Sequence, residues 1–206
     1  MEKQELRKRI RSLLSNVSVS SLLEQSERVT KNALKLKIIE NSRGFSVFLS
    51  RPLLEVRTNS LIAELLKRGC RVFVPFITSV AERQMEMLEL KPNEDVESFK
   101  TDKWGIPQLP SPEKRIKASA HDLDVIFTPG VAFDAACNRI GNGKGFYDIY
   151  FTKLDDEREL LKLPKILKIG LSLNEMITDQ VPITETDVPL DFVVTPSNVL
   201  SRRHVS

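Results

Sequence analysis

Five short apolar runs, separated by stretches with helical periodicity, constrain this fold more than any other feature. They are FSVFLS after Gly44, CRVFVPF at 70–76, LDVIFT at 123–128, Ile166–Leu171 and Phe192–Thr195, each bounded by turn residues. Runs of four to seven apolar residues suit buried strands rather than helices. A weaker alternating stretch at Gln84–Leu90 adds another strand. Between them, Leu6, Ile10, Leu13, Leu14 and Val17 mark an amphipathic helix near 2–15. Ser18 or Ser20 can cap a second helix, with Leu22, Val29, Ala33 and Leu36 on its stripe, running toward Asn41. Thr58 or Asn59 starts a third, LIAELLKRG, closed by Gly69, and Gly145–Leu163 reads as a fourth. This alternation predicts a three-layer αβα domain with a mainly parallel, Rossmann-like sheet, spanning 1–206 as a single unit.

The rest of the composition narrows the function classes. Apolar residues at 41% and charged residues at 29% are ordinary for a globular protein, and no apolar run is long enough to span a bilayer. The start, MEKQELRKRIRSLL, lacks a secretory core, so a cytoplasmic setting is expected. Its basic residues leave a mitochondrial address open. Two cysteines, Cys70 and Cys137, are too few for a disulfide framework or a metal centre. A net charge of +3 with 6% aromatics argues against nucleic acid, and Lys8, Arg9 and Arg11 read as a solvated helix face. The two histidines, His121 and His204, lack metal-ligand spacing, and His204 is expected in solvent. From Pro92 to Pro112 the chain reads as a long polar loop, in which Trp104 is either a packing anchor or a pocket wall.

Chemistry is concentrated in FTPGVAFDAACNRIGNGKGFYDIY, from Phe127 to Tyr150. Gly141, Gly143 and Gly145 alternate, Arg139 and Lys144 flank them with charge, and Asp148 follows in the next turn. Glycines let backbone N–H groups turn toward an anion, cations neutralise phosphate oxygens, and a nearby carboxylate suits Mg²⁺. A Walker loop is excluded because Lys144 precedes Gly145 rather than Ser or Thr. A dinucleotide fingerprint is excluded because Phe146 stands where a third glycine belongs. There is no G-x-S-x-G elbow. Taken singly, the glycines could form a hairpin and Asp148 could merely favour a helix N-terminus. Their combination favours a phosphate site.

PGVAFD at 129–134 followed by NRIGNGKGFYD at 138–148 resembles the nucleotide and folate signature of the 5-formyltetrahydrofolate cyclo-ligase family. The resemblance extends outward in order. It takes in Lys3-Gln4-Glu5-Leu6-Arg7, Phe48-Leu49-Ser50 with Glu55 and Thr58, Trp104-Gly105-Ile106-Pro107, and Val181-Pro182 through Asp187 and Asp191. It implies the cyclo-ligase/NagB-like version of the αβα fold. It also implies an ATP- and Mg²⁺-dependent conversion of 5-formyltetrahydrofolate to 5,10-methenyltetrahydrofolate, through a phosphorylated formyl group, with release of ADP and phosphate. Catalytic roles would fall to Arg139, Lys144 and Tyr147. Lys3, Arg7, Arg139, Ile140, Gly141, Asn142, Gly143, Lys144, Gly145, Phe146 and Tyr147 would hold ATP. Leu49, Glu55 and Trp104, with Asn142 to Phe146, would hold the folate, and Glu55 would accept from pterin N–H groups. Asp148 and Asp187 would hold Mg²⁺, although Asp187 could instead cap a turn, and Asp134 would orient the glycine loop or act as an ordinary turn residue. The expected partner is the folate, with or without added glutamates, and the expected state is a monomer.

Four positions depart from the family pattern. Asn142 stands where Arg or a hydrophobic residue can occur, and Phe146 replaces the first residue of a Tyr-Tyr-Asp. Arg51-Pro52-Leu53-Leu54 lengthens the loop before Glu55 by one residue, and Thr186 stands where a His can precede the aspartate. Two other readings compete: a non-catalytic folate or nucleotide binder, and an α/β enzyme acting on sugar phosphates or acyl thioesters.

Overall fold

The computed structural model describes residues 2–202, so His204 lies outside the described residues. Two helices come first, α1 (Lys3–Leu14) and α2 (Val19–Leu34). Leu6, Ile10 and Leu14 bury one i, i+4 row of α1, whereas Leu13 sits off that row and is 43% exposed. The Ser18 hydroxyl accepts the Ser21 N–H at 3.1 Å and caps α2. The expected run toward Asn41 ends early because Leu36 adopts an extended conformation and a 3₁₀ turn, Lys37–Ile39, follows.

The chain then alternates through β1 (Gly44–Val47), α3 (Asn59–Lys67), β2 (Arg71–Ser79) and β3 (Gln84–Glu89). Thr58 precedes α3, but its hydroxyl donates to the Phe48 carbonyl at 2.6 Å instead of capping the helix. The bond ties the exit of β1 to the start of α3. After the long loop come β4 (Val125–Thr128), β5 (Ala132–Phe133) and β6 (Arg139–Ile140). The chain continues with α4 (Phe146–Leu160), β7 (Leu167–Leu171), β8 (Phe192–Val194) and β9 (Val199–Ser201). Phe192–Thr195 is therefore not the final strand, because β9 returns antiparallel beside it.

The main sheet runs β3-β2-β1-β4-β7-β8-β9, with parallel pairing from β2 to β8 and antiparallel edges at β3 and β9. All residues of β1 and β4 are buried, as expected of central strands covered on both faces. From β1 the chain steps one way to β2, and from β4 it steps the other way to β7. Right-handed crossovers then set α3 and α4 on opposite faces of the sheet. The direction reverses between β1 and β4, and the crevice beyond their carboxyl ends is where such sheets bind ligands. Residues 48–58 and 129–145 leave the sheet there.

Candidate functional site

Beyond those strand ends lies a cleft of about 1320 Å³. Every site residue expected from the sequence lines it: Lys3 and Arg7, Leu49 and Glu55, Trp104, the whole of Arg139–Asp148, and Asp187. Five separated stretches of chain thus converge on one space.

The glycine loop owes its shape to supports on both sides. Upstream, β5 and β6 form a small antiparallel hairpin, Ala132 opposite Ile140 and Phe133 opposite Arg139. Asp134 fixes its turn. It accepts from the N–H groups of Ala136 and Asn138 at 3.0 and 2.9 Å, and from Val181 N–H at 2.9 Å. Asp134 is therefore more than a local turn residue, since it also staples the distant 181 segment. Downstream, Gly145 has φ 73° and opens α4, whose first-turn N–H groups are suited to an anion. Gly143 has φ 94°, and a Cβ there would lie 3.4 Å from Arg7 Nη2. The positive φ is what calls for glycine here, since a Cβ would only touch the flexible end of Arg7.

The charged groups are differently employed. Arg139 is only 6% exposed, and its guanidinium donates to Asp148 Oδ1 at 3.0 Å, beneath the rings of Tyr147 and Phe151. It does not stand free in the cleft. Lys144 is exposed and makes no ion pair or hydrogen bond among the described residues. Lys3 pairs with Asp187, and Arg7 Nε donates to the Gly141 carbonyl at 2.7 Å. Burial alone would raise the Asp187 carboxyl, but hydrogen bonds from Lys3 and Thr184 outweigh it and hold the group below the ordinary carboxylate value. Sequence reasoning passed over one contact: Arg11, read as solvated, donates to Asn142 Oδ1 at 2.9 Å. The available signal was the four-residue spacing of Lys3, Arg7 and Arg11.

The two candidate metal carboxylates suit Mg²⁺. Asp148 takes both of its hydrogen bonds, from Arg139 and from Val188 N–H at 3.1 Å, on Oδ1. Asp187 takes all of its bonds, from Lys3 and Thr184, on Oδ2. Each keeps its other oxygen free of partners among the described residues. No group of three His, Cys, Asp or Glu suited to a metal occurs among them. An ion here would complete its shell with phosphate and water, as Mg²⁺ does at nucleotide sites.

Elsewhere the cleft is less polar. The lengthened loop before Glu55 turns at Leu53, whose φ is 63°, and Arg51 N–H donates to Glu55 Oε2 at 2.8 Å. The extra residue is absorbed by the turn, and Glu55 still faces the cleft. Burial pushes the Glu55 carboxyl up to about 7, against smaller lowering effects of the Arg51 N–H and charge. The Tyr147 hydroxyl is buried without a partner among the described residues, and burial lifts its ionisation far above the ordinary tyrosine value. Trp104 is 54% exposed at the cleft rim, with Lys103 Nζ 4.3 Å from its ring centroid. It is a wall of the cleft rather than a packing anchor.

The model of the 5-formyltetrahydrofolate cyclo-ligase family matches residues 1–196. The chain belongs to that family. A Caenorhabditis elegans protein named as a probable 5-formyltetrahydrofolate cyclo-ligase is 36% identical over 196 residues, 93% of this chain and 91% of its own. A Schizosaccharomyces pombe protein of the same description is 31% identical over 205 residues, covering 97% and 98% of the two chains. The solved 5,10-methenyltetrahydrofolate synthetase of Aquifex aeolicus superposes with a TM-score of 0.76 at 28% identity, covering 100% of this chain and 95% of that one. The chain is accordingly an enzyme, a ligase of folate metabolism.

Proposed function

We propose that this cyclo-ligase converts 5-formyltetrahydrofolate to 5,10-methenyltetrahydrofolate with consumption of MgATP and release of ADP and phosphate. The observation that carries the reading is the convergence of the phosphate-type loop, two half-free carboxylates and the Leu49–Glu55–Trp104 wall on one cleft. Bound MgATP would supply the phosphoryl group that turns the formyl oxygen into a leaving group, so that N10 of the folate can close the ring. The protein's task is alignment and charge stabilisation.

Lys144, Arg7 and the N–H groups of residues 142–147 would hold the phosphates, with Lys3 set beside them by its pairing to Asp187. Arg139 would fix Asp148 in place, and Asp148 and Asp187 would hold the metal that travels with the nucleotide. Tyr147 stays protonated and would serve as a hydrogen-bond donor, never as a base. Glu55 would receive the pterin N–H edge, and Leu49 and Trp104 would cover the ring system.

Mixing the protein with MgATP and 5-formyltetrahydrofolate should produce the near-ultraviolet absorbance of the methenyl product. Normal folate binding without that absorbance would leave a non-catalytic binder. Glu55 adds a pH signature. Its ionised form accepts the pterin donors, so folate affinity measured without nucleotide should rise as pH increases through about 7. The rise should approach roughly tenfold from one unit below that value to one unit above. Glu55→Gln should flatten the profile, and a flat profile in the unaltered enzyme would take Glu55 out of the pterin site. Fold stability moves the opposite way. The folded carboxyl holds its proton more tightly than the unfolded one, so the contribution of Glu55 declines as pH rises from the ordinary glutamate value to about 7.

A further inference from the structure

Lys3, Arg7 and Arg11 recur every four residues and form one line along α1. The line meets the cleft walls as successive rungs: Lys3 on Asp187, Arg7 on the Gly141 carbonyl, and Arg11 on the Asn142 side chain at 2.9 Å. Arg11 differs from the other two in where it stands. Lys3 and Arg7 line the cleft, whereas Arg11 is absent from its lining and borders, with Asn142, a small void of about 10 Å³. Its guanidinium grips the loop through the Asn142 side chain and is not part of the cleft lining.

The loop needs such a grip. Three of the five residues from Gly141 to Gly145 are glycines, so only Asn142 and Lys144 offer side chains by which its middle can be held. Lys144 makes no bond among the described residues, which leaves Asn142. Glycine-rich backbone loses much freedom on ordering, and a loop ordered before the ligand arrives binds it more tightly. We propose that Arg11 is a positioning residue for the phosphate loop, acting through Asn142 to hold its N–H groups toward the ATP phosphates. The proposal rests on the ATP-dependent reading above.

The test is a mutant cycle of Arg11→Ala, Asn142→Ala and the double variant. Steady-state turnover would be combined with calorimetric titration of MgATP. Each single change should raise the KM and Kd for MgATP about three- to tenfold, the range for one charge-assisted hydrogen bond near the surface. For Arg11→Ala, saturating kcat and folate KM should stay within about twofold, and the double variant should match Asn142→Ala in its KM for MgATP. Unchanged melting temperatures would separate positioning from a general role in α1 stability. An Arg11→Ala effect that persists undiminished in the Asn142→Ala background would overturn the proposal, because Arg11 would then act as a bare charge. So would an unmoved KM in an enzyme that turns over. Unaltered enzyme lacking any ATP-dependent turnover would remove the functional reading as well.

Discussion

Asp148→Asn should lower turnover about a hundred- to a thousandfold at saturating substrates while leaving folate affinity unchanged. Asparagine keeps the size of the side chain and an oxygen for the Val188 N–H and the Arg139 guanidinium, which both bond Oδ1 now. It removes the charge and the free Oδ2 on which a metal would depend. The methenyl absorbance assay reads the loss, and a folate titration without nucleotide reads the control. Equal losses in both would assign Asp148 a structural role. Some stability should go as well, because Arg139 is buried and pairs with Asp148. A lowering of about 1–3 kcal/mol, visible as a melting shift of several degrees, is expected from weakening one charge-assisted bond.

Lys144→Ala should show the opposite balance. Its ammonium is exposed and bonds to no described residue, so the melting temperature should not move. If the loop holds the triphosphate as proposed, the KM for ATP should rise about ten- to a hundredfold, because its one cation is removed. An unchanged ATP requirement would mean that residues 141–145 do not hold the triphosphate. The two variants together separate a charge that also supports the fold from one that only meets the ligand.

Much of this arrangement is legible in the residues themselves. The five apolar runs all become strands, because fully buried parallel strands read as continuous hydrophobic stretches. Strands β5, β6 and β9 escape, since two or three residues carry no periodicity, and the first two depend on the Asp134 turn to exist at all. At the site, residue types and order indicate which groups gather, but not how they divide their labour. Arg139 and Lys144 look alike as cations beside glycines, yet one is buried against Asp148 and the other is exposed. That distinction needs the hairpin that turns Arg139 inward and the α4 terminus that presents Asp148, neither of which has a local pattern. Arg11 reads as solvated, although it is the third member of an i, i+4 row with Lys3 and Arg7. Its partner, 131 residues away, is not legible.

The bond between Lys3 and Asp187 joins positions 184 residues apart, and the grip of Arg7 on Gly141 spans 134. Because α1 precedes both partners in the chain, it must await them as the protein is made. A nascent chain that has reached Tyr150 already carries the phosphate loop but lacks the segment that anchors Lys3. Closing the cleft should therefore be a late step of folding, because these contacts must await the ordering of the long loops between them.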